Sequence, residues 1–147
     1  MNFFFRILFC FLAILSALSS RGGDFYPITE ADKKFLSQVV DAASRKDTAW
    51  IASHMNYPLY VFSEKGKRLV RNKDEFVPVL KRELTDKIAA RIAAEAKKPL
   101  FKNWQGVMVG DGLVWLTELQ SDEDSHPRYA ILAIGLFAFQ QEFSPHS

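Results

Sequence analysis

Apolar and polar positions change period several times along this chain, and each change marks an element. Phe35, Leu36, Val39, Val40 and Ala43 recur at helical spacing, and Thr29 with Asp32 three residues later has the form of a capping box. Together they predict a first helix ending near Ser44. Asp47 can cap a short second helix carrying Trp50, Ile51 and Met55. The period then falls to two. Tyr57, Leu59 and Val61 alternate with Tyr60 and Phe62, Glu64-Lys65-Gly66-Lys67 reads as a turn, and Arg68 to Arg71 as a short return strand. Pro58 has no amide hydrogen and belongs at a strand start or edge.

Helical spacing resumes after Asn72, which forms a second capping box with Glu75. Phe76, Val79, Leu80 and Leu84 share one face. Pro78 should kink this helix or mark its true start, because proline deletes a backbone hydrogen bond. Thr85 can cap a further helix, with Ile88, Ile92 and Ala96 inward, that ends before Pro99. The last third predicts strands: Phe101 to Val109, a tight turn at Gly110-Asp111-Gly112, Leu113 to Leu119, and Arg128 to Phe139 with Gly135 as a bend or bulge.

A two-residue hairpin at Asp111-Gly112 pairs residues whose numbers sum to 223, so Val109 faces Val114 and Met108 faces Trp115. One sheet face then carries Asn103, Gln105, Val107, Val109, Val114, Leu116 and Glu118. The other carries Trp104, Met108, Trp115, Thr117 and Leu119. A sheet covered by helices on one side only should be polar on the other. Two apolar faces therefore predict that helices cover one and that a second subunit or a ligand covers the other, with a homodimer through the sheet as the preferred arrangement.

The amino terminus changes the picture of where this domain works. Arg6 precedes an apolar run from Ile7 to Leu18, too short to span a bilayer, which needs roughly 20 residues. Ala17-Leu18-Ser19 supplies small residues at the positions a signal peptidase reads. The expectation is a signal peptide over residues 1–19, with an uncleaved anchor as the alternative. A polar lead over 20–28, one α+β domain over 29–140 and a tail over 141–147 follow. The only cysteine, Cys10, lies in the leader, so the mature chain has no disulfide or thiol chemistry. Export to a bacterial periplasm, or secretion, follows, with no stable membrane span after cleavage.

Charge excludes more than it identifies. Without Arg6, 18 basic and 17 acidic side chains remain, which argues against nucleic acid as a partner. No two histidines show ligand spacing, so no metal is expected. No nucleotide fingerprint, phosphate loop or nucleophile elbow occurs, and no cofactor is expected.

The order of elements resembles the nuclear transport factor 2-like, or SnoaL-like, superfamily. The resemblance rests on the opening helix with Phe35, Val39 and Val40, on the Lys73-Asp74-Glu75-Phe76 helix start, and on the hairpin from Gly106 to Trp115. It implies a cone-shaped roll in which a curved antiparallel sheet wraps the amino-terminal helices around an apolar pocket. A cystatin-like roll shares the element order. The superfamily contains isomerases, hydrolases, cyclases, adaptors and plain binding domains, so the resemblance does not fix function. The aspartate base of its steroid isomerases has no counterpart here, since the only strand-region aspartate, Asp111, falls in a turn.

Two readings of function stay open. In one the domain binds a small apolar ligand or a protein partner without chemistry, with Trp50, Tyr57, Tyr60, Asn103, Gln105 and Glu118 as lining residues. In the other it is a small pocket enzyme, an isomerase or hydrolase, in which a desolvated Glu118 or His54 acts as general base.

Overall fold

The computed structural model describes residues 25–119, 128–135 and 138–139. The predicted leader, the loop over 121–127 with His126, and the tail with His146 lie outside the described residues.

Each helix begins where a side chain can satisfy its free amides. Helix α1 (Glu30–Ser44) starts at Thr29, whose hydroxyl accepts from the Asp32 amide while the Asp32 carboxylate accepts from the Thr29 amide. Asp47 caps α2 (Thr48–His54) through the Trp50 amide. After strands β1 (Leu59–Ser63) and β2 (Gly66–Val70), Asn72 caps α3 (Lys73–Glu83) and Thr85 caps α4 (Asp86–Glu95). Pro78 stands inside α3, which begins at Lys73 and not at the proline, and its ring is exposed.

The remaining strands are β3 (Phe101–Asn103), β4 (Gly106–Val109), β5 (Val114–Leu119), β6 (Arg128–Ile134) and β7 (Ala138–Phe139). Among the described residues, all strands join one antiparallel sheet of seven in the order β2-β1-β7-β6-β5-β4-β3. The first hairpin thus adds beside the last strand, and both ends of the domain meet in one sheet. The chain is an α+β protein. No helix among the described residues is long and apolar enough to cross a membrane.

The β4–β5 hairpin has the expected pairing, with Val109 opposite Val114 and Met108 opposite Trp115. Asp111 and Gly112 both have positive φ, as the mirror-image turn of a two-residue hairpin requires. Two strand expectations are corrected. Phe101 to Val109 is a hairpin, not one strand: the Asn103 side chain accepts from the Gln105 amide, and Gly106 turns the chain at φ +135°. A Cβ at Gly106 would meet the Leu116 carbonyl oxygen, so only glycine fits there. Arg128 to Phe139 likewise breaks at Gly135, φ +70°, and returns as β7.

The first correction reverses the face of β3. Phe101 pairs with Met108 and Lys102 with Val107, so Lys102, and not Asn103, shares a face with Val107 and Leu116. That inner face packs on the helices. Phe35, Leu36 and Val39 of α1, Ile51 of α2, Phe76 and Leu80 of α3 and Ile92 of α4 form one core with Leu59, Val61, Val107, Val109, Val114, Leu116, Ile131 and Ile134.

Candidate functional site

At one end of α1 the polar chemistry of the fold converges on Asp32. Its carboxylate is only 1% exposed, yet no buried side-chain polar atom among the described residues lacks a partner. Oδ2 accepts from the Thr29 amide at 2.7 Å and from Lys102 Nζ at 2.6 Å, and Oδ1 accepts from the Tyr129 hydroxyl at 3.0 Å. Burial opposes the carboxylate charge. The Lys102 ammonium, the Thr29 amide and hydroxyl and the Tyr129 hydroxyl outweigh it and hold the Asp32 pKa below its ordinary value. Tyr129 is pushed up to about 12, first by burial, then by donation to Asp32 and by the Asp32 and Glu118 charges. The cluster ties helix α1 to strands β3 and β6.

Tyr129 also forms one wall of a cleft of about 740 Å³. Ala31, Lys34, Phe35 and Gln38 face it at helical spacing from α1, Ser53 to Asn56 from the end of α2, and Leu119 with Arg128 to Ala130 from β5 and β6. The Tyr129 ring stacks on Phe35, with centroids 5.1 Å apart. His54 stacks on Trp50 at 3.9 Å, and its Nδ1 lies 2.8 Å from the Trp50 carbonyl oxygen. A carbonyl oxygen only accepts, so Nδ1 carries the hydrogen and Nε2 is left as the acceptor of the neutral ring. Lys34 and Arg128 are exposed, and neither pairs with a carboxylate among the described residues.

The residues singled out from the sequence do not converge on one site. His54 lines this cleft, and Trp50 supports it from behind. Tyr57 packs edge-on against Phe76 and donates to the Ala52 carbonyl, away from the cleft. Its pKa rises through burial and the nearby Asp74 charge. Tyr60 is on the opposite side of the sheet, with the Lys67 ammonium 3.7 Å from its ring centre. Asn103 and Gln105 bond to each other in the β3–β4 turn. Glu118 pairs across the ladder with Tyr129 but is exposed and lies outside the cleft lining. The grouping of Asn103, Gln105 and Glu118 as a pocket is therefore corrected: it depended on a continuous Phe101–Val109 strand.

Asp32, Lys102 and Tyr129 were not singled out as a site. Lys102 lies 70 positions from Asp32 and Tyr129 lies 97, so only the tertiary fold brings them together. The one local signal was Asp32 in the capping box. Among the described residues no group of His, Cys, Asp and Glu could hold a metal ion. A scan against protein-family models matched no family, and searches of the curated proteins and of the solved structures returned no match.

Proposed function

We propose that this chain is an exported, non-catalytic binding domain of the nuclear transport factor 2-like type, which holds a small ligand with an apolar body in the cleft between α1, the end of α2 and β6. The cleft itself carries the reading. Its volume of about 740 Å³ falls within the roughly 300–1,000 Å³ of ligand sites, and it joins an apolar floor to a few polar groups. Phe35, Met55 and the Tyr129 ring supply the floor; Gln38, His54 and Asn56 stand at its margin.

Binding fits the lining better than catalysis. The Tyr129 hydroxyl is committed to Asp32, and Asp32 is saturated by its donors. His54 is left as the one general-base candidate of the lining, without a carboxylate to orient it; its Nδ1 is held by a carbonyl instead. The family assignment draws support from the helix and strand order and from a first hairpin that adds beside the last strand. In this reading the sheet curves around α1 and α2 as a cone.

The same reading makes the protein a homodimer through the sheet. Phe101, Met108, Trp115 and Ala133 form a cross-strand row on the side away from the helices, and the backbone pairing continues through Phe139 to Tyr60 and Leu69. Such a row is atypical of a solvated face. Native mass spectrometry of the mature protein purified from its source tests both statements. A dimer that retains a small-molecule mass is the expected result; a bare monomer contradicts both.

A further inference from the structure

The charges around the cleft are unevenly distributed. Lys34 stands on the α1 wall and Arg128 at the start of β6 on the opposite wall, and both are exposed and without an ion pair among the described residues. The lining residues include no carboxylate. Of the acids next to it, Asp32 is already neutralised by Lys102 at 2.6 Å. Glu118, across the ladder from Tyr129, is exposed and outside the lining. Among the described residues, two cations stand against one exposed carboxylate at the mouth of the cleft.

Below them the lining is aromatic. Phe35 and Tyr129 lie nearly parallel, 23° between ring planes, and His54 tilts against Phe35 at 5.9 Å. The half-buried Tyr129 ring stands in the same lining as two cations that pair with no carboxylate among the described residues. Hydrogen bonds between charged groups are roughly twice as strong as neutral ones, so a ligand carrying the opposite charge on an apolar body uses both features.

We infer that the ligand of this cleft is an amphipathic anion, an aromatic or ring-bearing carboxylate, whose apolar body lies on Phe35 and Tyr129 and whose charge is met by Lys34 and Arg128. The inference rests on the binding reading above but can fail separately from it.

Isothermal titration of the mature protein with three probes of one shape separates the two: naphthalene-2-carboxylate, 2-naphthalenemethanol and 2-naphthylmethylammonium. The inference expects the carboxylate to bind about tenfold more tightly than the alcohol, a difference of about 1.4 kcal/mol, and the ammonium most weakly. In the Lys34→Gln/Arg128→Gln double variant the carboxylate should fall to the affinity of the alcohol, whose own affinity stays unchanged. Both positions are exposed, so the variant should fold. Glu118→Gln should tighten the carboxylate alone. Equal binding of acid and alcohol, or a carboxylate preference that survives the double variant, overturns the inference and leaves the binding reading standing. No binding of any probe at millimolar concentration overturns both.

Discussion

Trp115 and Leu116 are neighbours on β5, yet they belong to opposite sides of the sheet and to different chemistry. Leu116 is buried in the core that the helices share with the inner row of valines and isoleucines. Trp115 stays half-buried in an apolar row outside that core. The inner side is where stability resides: its apolar side chains form the core, and Asp32, the one buried charge among the described residues, is saturated. The outer side offers apolar area that no described helix seals. A sheet built this way needs the first face to fold, and in the reading proposed above it leaves the second for association.

The comparison predicts a graded response to substitution. Phe76→Ala, on the inner side, should cost about 3–5 kcal/mol, because a fully buried ring leaves a cavity that the surrounding helices cannot close. Urea unfolding measures this loss, and a cost below about 1 kcal/mol would show that the helix-covered side is loosely packed.

Asp32→Ala should cost about 2–3 kcal/mol, since it strands the Lys102 ammonium and the Tyr129 hydroxyl in a dry setting. The same carboxylate gives the pH dependence a sign. Its folded pKa is lowered, so its contribution is complete above the ordinary aspartate value of 3.8 and drains away as pH falls through the folded value. Asp32→Asn should flatten that acid limb in a thermal-melting series. Tyr129 acts in the alkaline direction. With a folded pKa raised to about 12, its contribution is complete below the ordinary value of 10.0 and is lost as pH rises from there through about 12. Tyr129→Phe should remove that loss.

Trp115→Glu, on the outer side, should leave monomer stability within about 1 kcal/mol and convert a dimer to a monomer in sedimentation at micromolar concentration. An unchanged sedimentation coefficient would remove the association role from this face. The smallest effect belongs to Trp104, 72% exposed at the tip of the β3–β4 turn, where replacement by alanine should shift stability by no more than about 0.5 kcal/mol.

Local chemistry was legible before the fold was known. Thr29, Asp47, Asn72 and Thr85 each announced a helix start, because a cap acts within three or four residues. Asp111-Gly112 announced its hairpin for the same reason. The β3–β4 turn was missed because an apolar-polar run reads straight through it. The signal was Asn103 followed by Gly106, an asparagine able to bond the backbone two residues on and a glycine able to take positive φ. Missing it reversed the face of β3, which hid Lys102 from Asp32 and placed Asn103 in a pocket. Of the site, His54 and Trp50 were recognisable as aromatic groups near a helix end. The rest of the cleft draws on α1, α2 and β6 at once and is set by long-range packing.

Chemical-shift mapping of the isotope-labelled protein during titration with naphthalene-2-carboxylate addresses the cleft directly and reads both sides of the sheet at once. Saturable shifts confined to the amides of Phe35, His54, Met55 and Tyr129 are the predicted result, with Met108 and Trp115 unmoved. Shifts centred on Met108 and Trp115, with the α1–α2–β6 residues silent, would place the ligand on the outer side and contradict the account.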